Sequence, residues 1–122
     1  AKFYDTHLSK MKNLCPAQLA QVQNSARHLY VIRIDFTTIN VSRTELMSAL
    51  KEKGIGTQVH YRPIPQQPYY VDMGYDFTKY PEALHYYEEA LSIPLYPTLR
   101  RGQQKYIIKT LHALIEKSRL DN

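Results

Sequence analysis

The sequence has one cysteine, few glycines and no long apolar run, and each shortage excludes a class of protein. Cys15 is the only cysteine among 122 residues, so the chain can form no internal disulfide, and a single thiol is typical of a reducing compartment. No apolar run approaches the roughly 20 residues that a membrane-spanning helix needs. The sequence begins without a basic segment followed by an apolar one. We therefore expect a cytoplasmic protein with neither a secretion leader nor a membrane partner.

The four glycines are too scattered for a phosphate-binding loop. Gly54 and Gly56 alone match neither the dinucleotide fingerprint nor the P-loop motif. The sequence also lacks a CxxC or HxxxH pair, so a metal site would require His60 and His85 to come together by folding. We therefore expect no metal ion.

The net charge of +5 leaves three kinds of partner open. A basic protein can bind a nucleic acid, can bind a substrate that carries phosphate, or can be basic without a ligand. The eleven tyrosines could stack on bases. Most of them, however, lie in predicted helices and a proline-rich loop, unlike the strand-borne aromatics of RNA-binding sheets. A nucleic-acid-binding module and a purely structural interaction domain are kept as alternatives.

The first half of the chain predicts a helix, a linker, a strand and a second helix. Apolar residues recur at helical spacing near the start, and residues 15–26 are polar, as expected of a linker. Residues 28–35 alternate like a half-buried strand. Ser42 is placed to cap a helix together with Glu45, and Gly54 is placed to end that helix in a left-handed conformation.

The second half predicts a strand, a long loop, a helix, an extended run and a final helix. Residues 56–61 resemble a second short strand, and residues 62–80 form a loop rich in proline and tyrosine. Pro81 suits the first turn of a helix, and the prolines of LSIPLYP (91–97) suit an edge strand. Residues 101–117 repeat apolar positions like an amphipathic helix. The predicted fold is α+β, with a small three-stranded sheet covered by helices.

The segment GIGTQVHYRPIPQQPYY, residues 54–70, raises the main functional question. Each proline fixes its own φ and extends the residue before it, so the segment is stiff. Stiffness lowers the entropy cost of holding a site. The segment could be a rigid structural lid over the sheet edge, or it could present His60 and Tyr61 to a ligand. Composition alone leaves both functions open.

This segment and two later runs together resemble the C-terminal part of the DegT-type sugar-nucleotide aminotransferases. The later runs are YPEALHYYEEALSIPLYPTL, residues 80–99, and QQKYIIKTLHALI, residues 103–115. The resemblance covers residues 27–115. Within the family it is nearest to the transaminases that make 4-amino-4,6-dideoxy sugars on UDP-N-acetylhexosamines, as in pseudaminic acid biosynthesis.

The resemblance implies a longer, two-domain enzyme that uses pyridoxal phosphate (PLP) and belongs to fold type I. Residues 1–122 would be its C-terminal small domain, and residues 1–26 would be the helix and linker that lead in from the large domain. The cofactor lysine and the other PLP-binding residues would lie in that large domain, because the lysines of this chain match no cofactor-lysine segment. We therefore expect no catalytic residue, no bound cofactor and no activity in the chain by itself.

The resemblance also implies that the loop borders the mouth of the active site. By that match His60 and Tyr61 are expected to contact a UDP-sugar, with Arg62 and Gln67 as further candidates. The implied reaction transfers the amino group of glutamate to a UDP-linked 4-keto-6-deoxy-N-acetylhexosamine, in a homodimeric enzyme of polysaccharide biosynthesis. Neutral histidine and tyrosine both donate and accept hydrogen bonds, which suits sugar hydroxyls. Pro65 stands where a histidine is common in the family, and this departure leaves the exact sugar open.

Overall fold

The computed structural model describes residues 1–18 and 25–120, in which five α-helices accompany one small sheet. Two short 3₁₀ turns, Ile64–Gln66 and Phe77–Lys79, flank the third helix. The helices and strands in chain order are α1 (Lys2–Leu8), β1 (Leu14–Pro16), β2 (Tyr30–Ile34), α2 (Arg43–Glu52), α3 (Pro68–Asp72), α4 (Pro81–Glu89), β3 (Ala90–Ile93) and α5 (Arg101–Leu120).

The sheet has three antiparallel strands in the order β1-β2-β3, which confirms the predicted α+β class. The central strand β2 places Ile34 opposite Leu14 of β1 and Ile32 opposite Leu91 of β3. As the alternation predicted, Tyr30, Ile32 and Ile34 are buried, while the residues between them are half-buried. This face of the sheet therefore carries the core.

The prediction of a strand at residues 56–61 is wrong. There the structure forms a single isolated bridge, between Gln58 and Ser92. The segment then leaves the sheet, because Pro63 and Pro65 lack backbone donors and turn the chain into the first 3₁₀ turn. The sheet has three strands, as predicted. One of them is β1, however, and not the segment of residues 56–61.

The third strand is β1, which lies where the sequence predicted the start of a polar linker. Leu14 is buried against the core, and the two residues that follow it, Cys15 and Pro16, pair with β2. A proline is tolerated here because β1 is an edge strand, where one side of the backbone needs no partner. Residues 19–24 of the predicted linker lie outside the described residues.

The core is formed by one stripe of each long helix against the sheet. In α5 the predicted positions 107, 111 and 115 are buried, and positions 108 and 114 pack partly against them. In α2, Leu46 and Leu50 are buried. The buried cluster comprises Tyr4, Leu8, Leu14, Tyr30, Ile32, Ile34, Ile39, Leu46, Leu50, Ile55, Leu91, Ile93, Ile107, Leu111 and Ile115.

Two buried tyrosines fasten α1 to the rest of the molecule. The Tyr4 hydroxyl donates to the carbonyl oxygen of Pro94 over 3.0 Å. The Tyr30 hydroxyl donates to Asp5 Oδ1 over 2.7 Å, and Arg27 Nη1 lies 2.9 Å from the same oxygen. Burial raises the pKa of both phenols above the ordinary range, and the Asp5 carboxylate raises that of Tyr30 further.

Helix α2 begins and ends as the sequence predicts. The Ser42 side chain accepts from the Glu45 backbone, and the Glu45 carboxylate accepts from the Ser42 backbone N–H over 2.8 Å, so the capping box is complete. At the other end Gly54 has φ +72°, and the Ile55 N–H donates to the carbonyl of Leu50 over 2.9 Å. This is the left-handed end that the glycine predicted.

Replacing Gly54 by alanine is expected to lower the free energy of unfolding by about 1 kcal/mol, because a Cβ is strained at positive φ. An added Cβ would meet no atom within 4 Å at Gly54 or at Gly56, so crowding contributes at neither position. Gly56→Ala is the matched control, since Gly56 does not have a positive φ. Urea unfolding of the two variants tests this, and equal losses would contradict it.

Candidate functional site

The segment of residues 54–70 is braced by its own prolines and by one bridge to the sheet. Gln58 exchanges two backbone hydrogen bonds with Ser92, at 3.1 and 2.8 Å. Beyond the first 3₁₀ turn, Pro68 occupies the first turn of α3. The Gln67 side-chain amide donates back to the carbonyl of Arg62 over 3.3 Å. The segment is therefore a fixed structure between the bridge and α3.

The structure brings His60 and Tyr61 together directly after the bridge. Their rings meet edge to face, with centroids 4.8 Å apart and an interplanar angle of 86°. The His60 side chain is half-buried, whereas Tyr61 is 75% exposed. The peptide bond between them is cis. The pair thus forms one aromatic feature with a sheltered member and an exposed member.

The other two predicted site residues differ in what they can offer. Arg62 is exposed, so its guanidinium can reach an anion. Gln67 is half-buried, and its amide nitrogen is engaged by the Arg62 backbone. Gln67 therefore helps to hold the loop, and its contact with a ligand stays a prediction.

Ser92 is a residue of this site that the sequence analysis missed. Its hydroxyl lies 2.8 Å from His60 Nδ1, and the residue is only 5% exposed. The available signal was a polar residue between two apolar neighbours, Leu91 and Ile93, in a short strand. Buried polar groups are hydrogen-bonded, so such a serine indicates a specific partner.

Exposed aromatic and apolar side chains, here called the aromatic surface, recur along the chain from the His60–Tyr61 pair through α3 to the start of α4. Tyr70 contacts the rings of Tyr69 and Tyr75, with centroids 5.3 and 5.5 Å apart. Hydrogen bonds from Thr78 lower the pKa of Asp76, whose side chain caps the second 3₁₀ turn of this surface. Its exposed large side chains are Tyr61, Ile64, Tyr69, Val71, Met73, Tyr75, Phe77 and Tyr80.

The histidines do not assemble a metal centre. His85 Nε2 lies 3.3 Å from Glu89 Oε1, while His60 contacts Ser92. Within residues 1–18 and 25–120, no group of three or more His, Cys, Asp and Glu residues is placed to hold a metal ion. In the same described part of the chain, no helix combines the length and apolarity that crossing a membrane requires.

Comparison with known proteins identifies the family of this chain. Residues 1–112 match the model of the DegT/DnrJ/EryC1/StrS aminotransferase family. The chain belongs to this family. Among its DegT-family relatives, the spore coat polysaccharide biosynthesis protein SpsC of Bacillus subtilis is 32% identical over 115 residues, which are 93% of this chain and 30% of SpsC. The UDP-4-amino-4,6-dideoxy-N-acetyl-beta-L-altrosamine transaminase of Campylobacter jejuni is 31% identical over 117 residues, 96% of this chain and 31% of that enzyme.

The fold of this DegT-family chain is also found in solved structures. The PLP form of Spr1654 from Streptococcus pneumoniae, which is described as a sugar aminotransferase, matches with a TM-score of 0.83 and 29% identity. That match covers 96% of this chain and 30% of Spr1654. The chain therefore spans about 30% of the length of each relative named here. The nucleic-acid alternative gains no support from these matches.

The residues of this chain do not by themselves fit PLP. An aldehyde cofactor of this kind is held by a lysine whose amine is shielded from water, with a carboxylate near the ring nitrogen. Every lysine of the chain is exposed. Because a shielded amine is missing, no step through the cofactor can be assigned to these residues.

Proposed function

We propose that this chain is the small, substrate-binding domain of a PLP-dependent sugar-nucleotide aminotransferase of polysaccharide biosynthesis. Its reaction would transfer the amino group of glutamate to a UDP-linked 4-keto-6-deoxy-N-acetylhexosamine. The observation that carries the proposal is the family match over residues 1–112. The Campylobacter relative supports the sugar, since its name specifies a UDP-linked 4-amino-4,6-dideoxy sugar. The lysine that holds PLP would lie outside residues 1–122, in the large domain from which residues 1–26 would lead in.

The geometry of His60 and Tyr61 supports a role in binding the UDP-sugar. Among the described residues the hydrogen bond of the His60 ring is through Nδ1, to Ser92, and Nε2 is the ring nitrogen that would meet a ligand. The exposed Tyr61 hydroxyl can both donate and accept. Arg62 follows directly and can pair with a diphosphate. Three adjacent residues would thus offer hydrogen bonds and a positive charge to one nucleotide sugar.

The aromatic surface supports the placement of this domain inside a larger assembly. Several of its rings contact one another, and grouped exposed apolar side chains are typical of surfaces that another protein surface or a ligand covers. We infer that the large domain, or the second subunit of a homodimer, covers part of it. As a separate part of the proposal, we place the protein in the cytoplasm, where its UDP-sugar substrate would be available.

The test compares residues 1–122 alone with the complete protein, meaning the product of the whole gene in which this sequence occurs. After incubation with PLP, the complete protein is expected to show an aldimine absorbance band that borohydride reduces to a stable adduct. It is also expected to aminate a UDP-4-keto sugar with glutamate. Residues 1–122 alone are expected to do neither, because their lysines are exposed.

Two outcomes would overturn the proposal. One is a stoichiometric, borohydride-reducible PLP adduct on residues 1–122 alone. The other is a folded, PLP-loaded complete protein that uses glutamate but aminates no UDP-linked ketosugar.

A further inference from the structure

We propose that Ser92 is the positioning residue of His60, which it holds through Nδ1 so that Nε2 faces the substrate. This inference rests on the proposed function, which supplies the substrate. The observation that supports it is the 2.8 Å contact between the Ser92 hydroxyl and His60 Nδ1. The sequence separates the two residues by 32 positions, so the fold alone creates the pair.

The bridge between the loop and β3 places the two side chains on one face of the sheet. Gln58 lies directly opposite Ser92 in this antiparallel bridge. His60 is two residues further along, so it shares the face of Gln58 and is the diagonal neighbour of Ser92. A long ring side chain can reach across such a diagonal. The backbone bonds of Gln58 and Ser92 therefore set the separation of the pair.

The Ser92 hydroxyl is on the side of the sheet opposite the core. Ser92 is paired with the half-buried Val31, whereas its neighbours Leu91 and Ile93 pair with the core residues Ile32 and Tyr30. Ser92 is nevertheless buried, and its hydroxyl is hydrogen-bonded to the His60 ring. The hydroxyl is thus not needed for packing the core, and its contact is with the residue proposed to bind substrate.

The contact can fix the ring in either tautomer. A serine hydroxyl can donate to an unprotonated Nδ1 or accept from a protonated one. In both cases rotation of the imidazole would break the bond and leave a buried hydroxyl unpaired, which is unfavourable. The substrate therefore meets a ring that is already oriented, so less entropy is lost on binding.

The first test observes the His60 ring in residues 1–122 by nitrogen-15 NMR of the imidazole. Ser92→Ala is expected to shift and broaden the His60 ring signals, because the ring loses its anchor. Ser118→Ala is the matched control, since Ser118 is also buried and its hydroxyl donates to the carbonyl of Ile115 over 2.7 Å, away from His60. Unchanged His60 signals in folded Ser92→Ala would overturn the proposal.

The second test measures KM for the UDP-ketosugar in the complete protein, using a double-mutant cycle of Ser92→Ala and His60→Ala. Ser92→Ala is expected to raise KM about 3- to 10-fold when His60 is present and to have little effect when His60 is already alanine. Ser118→Ala should leave KM unchanged. The half-reaction with glutamate should proceed normally in every variant, which a general loss of folding would not allow.

The two tests separate the positioning of His60 from its proposed function. A KM that rises in His60→Ala but not in Ser92→Ala overturns the positioning role alone. A KM that is unchanged in both variants, together with shifted NMR signals in Ser92→Ala, overturns substrate binding by His60 and supports the anchoring of its ring.

Discussion

Raising the pH above about 10 is expected to destabilise residues 1–122 steeply, because two core tyrosines resist ionisation in the folded chain. Tyr4 and Tyr30 are 0% and 2% exposed, and both hydroxyls donate to protein oxygens. Folding therefore raises their pKa, so their contribution to stability is complete below the ordinary tyrosine pKa and is lost as the pH rises beyond it.

The expected loss is large relative to the stability of a chain of this size. A tyrosine that stays neutral in the folded state while the unfolded state ionises lowers the free energy of unfolding by about 1.4 kcal/mol per pH unit. Two such tyrosines lower it by about 2.8 kcal/mol per unit. The whole free energy of unfolding expected for this length is about 6–18 kcal/mol.

Urea unfolding followed by circular dichroism between about pH 8 and pH 12 measures this loss. Tyr4→Phe and Tyr30→Phe should each reduce the steepness of the alkaline loss. Tyr30→Phe should also lower stability at neutral pH by about 1–3 kcal/mol, because the Asp5 carboxylate loses a donor. Tyr69→Phe, which removes a hydroxyl from the exposed surface, is the control. An unchanged alkaline slope in the Tyr4→Phe, Tyr30→Phe double variant would refute the explanation.

Replacing His60 by alanine in the complete protein is expected to lower kcat/KM for the UDP-ketosugar about 3- to 30-fold. The loss corresponds to one hydrogen bond to a neutral sugar oxygen at the lower end and to a charged phosphate oxygen at the upper end. Tyr61→Phe should also lower kcat/KM for the UDP-ketosugar, because it removes the hydroxyl that is proposed to bind this substrate and leaves the ring in place. The half-reaction with glutamate should stay nearly normal, since that substrate carries neither a sugar nor a nucleotide.

Steady-state and single-turnover kinetics of the two half-reactions distinguish this outcome from a structural effect. His112→Ala, which removes an exposed histidine from α5, should leave both half-reactions unchanged. If Tyr61→Phe is silent and His60→Ala mainly lowers the melting temperature, residues 54–70 are a structural lid and do not bind the substrate.

Local signals in the sequence predicted most of the fold. The ends of α2 were readable because Ser42, Glu45 and Gly54 act on backbone groups only a few residues away. The alternation of β2 was readable because one face of the strand packs on the core. The strand at residues 56–61 was predicted wrongly. Whether this segment pairs along its length depends on a distant strand, and the prolines that follow turn the chain away after one bridge. The edge strand β1 has only three residues, which is too few for an alternating pattern to be recognised without its neighbour.

The candidate site was predicted in part. His60 and Tyr61 were found because they follow one another in a segment with an unusual density of prolines and rings, and that segment resembles a family. Ser92 could not be assigned in this way, because its partner is determined by the bridge to Gln58 and not by its own neighbours. Residue pairs that join distant segments need the fold before they can be seen.

The packing of α1 has a consequence for synthesis on the ribosome. Tyr4 is hydrogen-bonded to Pro94, and α1 packs against α5. The first residues of this sequence therefore complete their contacts only after residues near its end have been synthesised. Contacts between such distant positions form late, because a long loop must close first. Until α5 has emerged from the exit tunnel, the part of the nascent α1 that packs against α5 stays uncovered. A stalled or truncated translation product that lacks α5 should therefore be a substrate for chaperones and proteases.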